Sequence, residues 1–177
     1  MRMDYIWIFV TFSLALAQDS EIRNLLNKMD ETDKCGQMTQ VTFDVISKSS
    51  YNLNEDPVDL EKLAIAIVDK KVGSILNTPD DVAQKASIWQ LIIKHIHDQT
   101  SRTKLKIPVI YGIDSIHGAN YIQEAVLFPQ PLAQAASFNT EIAGKIGEIV
   151  AQETRAVGVP WNFSPVLDVG RQPVWPR

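Results

Sequence analysis

Residues 107–120, IPVIYGIDSIHGAN, constrain the fold of this chain more than any other stretch. Ile107, Val109, Ile110, Tyr111 and Ile113 form a nearly unbroken apolar run. A parallel strand covered on both faces needs such a run, because neither face meets water. The run breaks off in Asp114 and His117, and Gly112, Gly118 and the small Ala119 leave the backbone free to turn tightly. Polar groups at the carboxyl end of a buried parallel strand are where α/β folds keep their ligand sites. The segment therefore predicts a binding site as well as a fold.

The flanking sequence supplies the other units. Asp56-Pro57-Val58-Asp59 predicts a helix start, with Asp56 as cap, Pro57 at the first helical position and Asp59 adding charge to the first turn. Leu60, Leu63, Ala64, Ile67 and Val68 follow at helical spacing and Lys70 and Lys71 close the helix. Residues 72–76 read as a short strand. Thr78-Pro79-Asp80-Asp81 repeats the start signal, and Val82, Ala86, Trp89, Ile93 and Ile96 make the stripe of a second helix reaching about His97. Asn139 or Thr140 opens a third, with Ile142, Ile146, Ile149 and Val150 on one face and Gly158 just beyond its end. Residues 161–169 read as another strand.

This alternation implies right-handed βαβ units and a parallel sheet, hence an α/β fold. Such a sheet closes as an eight-unit barrel at about 250 residues or stays open at about 150. Three clear strands are present, none with a glycine-rich phosphate loop. With no terminating helix after residues 173–176, the chain is expected to be cut short.

At the N-terminus, Arg2 precedes an apolar run over residues 5–16, and Ala15-Leu16-Ala17 supplies the small-x-small pattern of a signal-peptidase site. About a dozen apolar residues is the length of a signal-peptide core and too short to span a bilayer. Residues 1–17 are thus expected to be a cleaved leader. Residues 18–177 form one exported domain, periplasmic, lysosomal or extracellular, with no membrane partner after cleavage. The net charge of −4 and the lack of a basic run argue against nucleic acid. Cys35 is the only cysteine, so no intrachain disulfide is possible, and its apolar neighbours predict a small buried core residue. The three histidines lack metal-ligand spacing: His95 and His97 lie two apart on a predicted helix and point in different directions.

Three stretches in order, YGIDSIHGAN at 111–120, LFPQPLAQAASFN at 127–139 and ETRAVGVPWNFSPVLDVGRQPVWPR at 153–177, resemble the N-terminal barrel of glycoside hydrolase family 3 on its β-glucosidase branch. KMDETDKCGQMTQ, residues 28–40, resembles the helix that opens that family's catalytic region. The resemblance implies a partial (β/α)8 TIM-like barrel, truncated at about its middle. The rest of the protein's own chain would supply the missing half and a C-terminal α/β sandwich domain. It also implies that Asp114 accepts hydrogen bonds from hydroxyls of a terminal glucose and that Arg177 reaches the same sugar. Both residue types suit sugar binding, since a carboxylate accepts two hydroxyl protons in fixed directions and a guanidinium offers a rigid fork of donors.

Without the resemblance, Asp114 reads equally well as the cap of the turn to Gly118. His117 is expected to brace Asp114 or the loop, and Asp168 to pair with Arg171 or to serve the site. Asn162-Phe163-Ser164 is formally a glycosylation sequon, but its place in a core strand argues against modification. Val174 and Pro176 depart from the family's usual arginine and glycine while Trp175 and Arg177 are kept.

Retaining glycosidases need two carboxyl groups about 5–5.5 Å apart. The resemblance places both, and a Lys-His pair that helps hold the sugar, beyond Arg177. No catalytic residue is therefore assigned, no metal or organic cofactor is implied, and the 177 residues alone are expected to hydrolyse nothing. The function implied is that of an exo-acting retaining β-glucosidase on β-glucosides or β-linked oligosaccharides. The alternatives are a β-xylosidase or β-N-acetylglucosaminidase of the same family, or a sugar-binding barrel without catalysis.

Overall fold

The computed structural model describes residues 20–167 and 171–174. The predicted leader, Asp168 and Arg177 lie outside the described residues. Among the described residues, four strands form one sheet in sequence order: β1 (Gln40–Thr42), β2 (Ser74–Leu76), β3 (Ile110–Ile113) and β4 (Trp161–Asn162). All neighbours are parallel, in a register that aligns Thr42 with Leu76, Leu76 with Gly112 and Gly112 with Trp161. Helix α1 (Glu31–Gln37) precedes β1, α2 (Leu60–Ala64) and its π-turn extension Ile65–Asp69 link β1 to β2, and α3 (Ala86–Thr100) links β2 to β3. The short α4 (Pro131–Ala136) and the long α5 (Thr140–Ala156) lie between β3 and β4. Each parallel crossover thus carries a helix, the order of consecutive units in a (β/α) barrel.

The core lies between the sheet and these helices. Phe43, Ile46, Leu63, Ile67, Ile75, Trp89, Ile92, Tyr111 and Ile113 are all buried there. Trp89 and Tyr111 meet edge to face, with centroids 5.6 Å apart. Helix α1 opens on a capping box in which Asp30 accepts from the Asp33 backbone and Asp33 accepts from that of Asp30. Its far end packs backbone against backbone on the approach to β2. The Gly73 N–H donates to Gly36 O at 2.9 Å, and a Cβ on Gly73 would stand 2.2 Å from Gln37 O. Lys71 joins the two elements electrostatically, 2.6 Å from Asp33. Its hydrogen bond holds the Asp33 carboxyl below the ordinary carboxylate range and raises the ammonium in return.

The helix starts differ from expectation. Asp56 takes the Val58 N–H in a local turn and pairs with His95 at 3.2 Å. Val58 is fully buried and bridges Ser47. The chain is therefore still extended at Val58, and Asp59 becomes the cap, accepting from Glu61 N and Lys62 N. The second start signal gives only a 3-10 turn, Pro79–Asp81, because Asp80 and Asp81 sit at φ 51° and 54°, where a right-handed helix cannot continue. Helix α3 begins five residues after that turn and leaves Val82 outside its stripe, 43% exposed.

Two burial expectations also change. Cys35 is exposed, because on α1 the buried positions are Asp33 and Gly36. Ile142 and Ile149 of α5 remain partly open, Ile142 at 45%, since among the described residues no further element covers that face. Strand β4 pairs over two residues, far fewer than the nine read as a strand.

Candidate functional site

Asp114 follows β3 directly, so its carboxylate stands at the C-terminal rim of the sheet, where it is half-buried. No hydrogen bond among the described residues ends on that carboxylate. The turn-capping role open to it on sequence grounds therefore has no donor among them. His117 is half-buried in the same turn. It braces the loop through its backbone, its carbonyl accepting from Phe128 N at 2.7 Å.

The turn is held from three sides. Strand β4 supplies Asn162, whose Oδ1 accepts from Ser115 N at 3.0 Å and from Ser164 N at 3.1 Å. Helix α5 supplies Thr154, whose hydroxyl meets that of buried Ser115 at 3.1 Å, and Glu153, which accepts from Val126 N at 3.2 Å. Helix α3 and the segment before it hold the rest. The Tyr121 carbonyl receives the Trp89 indole N–H at 2.8 Å and Gln84 N at 3.0 Å, Gln123 N reaches Gln84 O at 2.9 Å, and Glu124 caps α3 by accepting from Ala86 N. Gly118, at φ 112°, lets the loop fold back: a Cβ there would stand 2.2 Å from Val126 O.

Acidic residues follow each of the first three strands: Asp44 after β1, Asp80 and Asp81 after β2, and Asp114 after β3. Two phenols report their field. Burial first, and then the Asp114 and Asp81 carboxylates, raise the Tyr121 phenol above its ordinary pKa. Burial, then Asp80 and Asp44, do the same to Tyr51. The Tyr51 hydroxyl is buried without a hydrogen bond of good geometry, although the Asp80 carboxylate lies near enough to perturb it. This rim is rich in acceptors, which suits a neutral ligand covered in hydroxyl groups.

A cavity of about 780 Å³ lies elsewhere, along the edge of β1 that no other described strand pairs, between α1 and α2, and Val41, Val45, Ile65, Ala66 and Val72 give it apolar walls. The described residues contain no group of three His, Cys, Asp or Glu side chains placed to hold a metal ion. None of their helices is long and apolar enough to cross a membrane.

Of the four site residues named from sequence, Asp114 and His117 share this turn, while Asp168 and Arg177 lie outside the described residues. Sequence reasoning missed Asn162, Ser115 and Thr154. Asn162 carries a weak signal, a polar residue at the second position of the strand predicted over 161–169, but on sequence grounds it reads only as part of a sequon.

Residues 31–177 match the sequence profile described as the glycosyl hydrolase family 3 N terminal domain. The chain is 39% identical over 170 residues to a lysosomal beta glucosidase of Dictyostelium discoideum, an alignment spanning 91% of this chain and 20% of that protein. It is 30% identical over 162 residues to a periplasmic beta-glucosidase of Salmonella typhimurium, spanning 91% of this chain and 18% of that one. In fold it is similar to a glycoside hydrolase family 3 beta-N-acetylglucosaminidase from Paenibacillus sp. str. FPU-7, with a TM-score of 0.66 at 21% identity over 82% of this chain and 26% of that one. The chain thus spans about a fifth of the length of these two curated relatives.

Proposed function

The chain belongs to glycosyl hydrolase family 3, and from that premise we propose that it is the sugar-gripping part of an exported, retaining, exo-acting β-glucosidase. The observation that carries the reading is Asp114. It is a half-buried carboxylate at the carboxyl end of a central parallel strand, with its own oxygens free of hydrogen bonds from the described residues and its neighbours fixed. Such a group can accept two adjacent hydroxyl protons of a terminal pyranose at once. Gripping the sugar at its non-reducing end favours release of one unit at a time. The names of the lysosomal and periplasmic relatives support glucose as the sugar and export as the destination.

The same proposal assigns the chemistry to chain outside residues 1–177. Four parallel strands are half of an eight-unit barrel. The nucleophile and acid/base carboxyls would come from the remaining half and the following domain, with Arg177 joining Asp114 on the sugar. The test is Asp114→Ala in the complete protein. Loss of a charge-assisted hydrogen-bond pair costs about 1.5–3 kcal/mol, so glucose should inhibit roughly ten- to hundredfold more weakly. Unchanged inhibition by glucose, or turnover of an aryl β-glucoside by the 177-residue chain alone, would refute the reading.

A further inference from the structure

The Asp114 carboxylate receives no hydrogen bond from the described residues, yet both of its neighbours are fixed. On one side, Ile113 O accepts from Phe163 N at 3.0 Å, the last rung of the β3–β4 ladder. On the other, Ser115 N is the next donor on the β4 side just past the end of β3, where the backbone ladder with β4 has ended. The Asn162 side chain takes over, its Oδ1 standing in for the missing rung and accepting from Ser115 N and Ser164 N together. Two backbone N–H groups converge on that atom, so it is the amide oxygen and the side chain's orientation is settled by its partners. The Ser115 hydroxyl is pinned in turn by Thr154, with both residues almost fully buried.

We infer that Asn162 is the positioning residue for Asp114: by extending the β3–β4 ladder through its side chain, it fixes the direction in which the Asp114 carboxylate meets a sugar hydroxyl. The inference rests on the sugar-binding reading of Asp114. Sub-ångström misplacement of an acceptor is enough to degrade a hydrogen bond whose strength falls steeply with angle. A leucine in place of Asn162 keeps the branched outline and removes the acceptor, which releases Ser115 N and lets Asp114 drift. An aspartate restores the acceptor oxygen.

The experiment measures glucose inhibition in the complete protein for wild type, Asn162→Leu, Asn162→Asp, Asp114→Ala and the Asp114→Ala/Asn162→Leu double variant, with the melting temperature of each. The expected result is a roughly tenfold weaker inhibition constant for Asn162→Leu and recovery to within about twofold for Asn162→Asp. The double variant should match Asp114→Ala, because residues acting through one group are not additive. Asn162→Ala gives the same readout should leucine prevent folding.

Wild-type inhibition in Asn162→Leu, no recovery in Asn162→Asp, or a further loss on adding Asn162→Leu to Asp114→Ala would each overturn the positioning role. The last result would make Asn162 a sugar contact or a general prop instead. An Asp114→Ala variant with wild-type inhibition would bring down the sugar-binding reading and this inference together. A large Asp114→Ala effect beside a silent Asn162→Leu would remove only the inference.

Discussion

Trp89→Phe tests whether the core of α3 holds the loop behind Asp114. Trp89 is fully buried, and its indole N–H is the side-chain bond from α3 to the Tyr121 carbonyl. Phenylalanine keeps a ring against Tyr111 but loses that bond and leaves a void. The carbonyl still receives Gln84 N, so no acceptor is orphaned and the hydrogen-bond loss stays near a net of about 1 kcal/mol. Replacing indole by phenyl removes roughly 40 Å² of buried apolar area, about 1 kcal/mol at 25 cal/mol per Å². The unfilled volume adds up to about 1 kcal/mol more. The sum, about 2–3 kcal/mol, should appear as roughly 30- to 150-fold faster hydrogen exchange in peptides covering residues 119–125 of the complete protein. Exchange there within about threefold of wild type would show that other contacts hold the loop. Acceleration spread evenly over the barrel would show a global cost with no local tether.

Four shorter predictions follow from other contacts. Lys71 keeps the Asp33 carboxyl below its ordinary 3.8 in the folded chain, so the stabilisation is complete above that pH and drains away as pH falls through it toward the folded value. Lys71→Met should therefore lower denaturant midpoints at pH 7 and flatten their fall below about pH 4; an acid limb as steep as wild type would count against the pair. Gly73→Ala should lower the melting temperature sharply, because its Cβ would press on Gln37 backbone that cannot swing aside, and overpacking of this kind costs about 1–3 kcal/mol. Cys35, exposed on α1, should be modified by a thiol reagent in the native protein, and protection there would show its wall of the β1-edge cavity to be covered. The Asn162 sequon should carry no glycan in protein from a glycosylating host, since Asn162 is partly buried in β4 and a glycan on its amide nitrogen would have to fit beside the Ser115 turn; a mass shift on its tryptic peptide would contradict that placement.

The fold was legible wherever periodicity and burial agree. Leu63, Ile67, Trp89, Ile93 and Ile96 were read as helical stripes and are buried on helices. The order of helices and strands likewise implied the parallel sheet. Helix starts were less legible because they depend on competition. Asp56 and Asp59 are both good caps in sequence, and only the burial of Val58 between them decides for Asp59. The second start signal failed because backbone at Asp80 and Asp81 adopts the left-handed region, which acidic residues tolerate but do not announce.

For the candidate site, the place of an acid at the end of β3 could be read directly, because a charge closing an apolar strand is a local event. What holds it could not. Ser115 and Asn162 lie 47 residues apart, and Ser115 and Thr154 lie 39 apart. Their meeting depends on the register that sets Ile113 against Asn162. A shift of one residue in that register would turn the Asn162 side chain to the opposite face and free Ser115 N. The shortness of β4 therefore has a use that its sequence does not show: a longer strand would satisfy Ser115 with its own backbone and leave Asn162 nothing to hold. Because the ladder ends after two residues, a side chain takes the next rung. A side chain, unlike a backbone carbonyl, can be changed by substitution, which is why the aim of Asp114 can be altered without rebuilding the sheet.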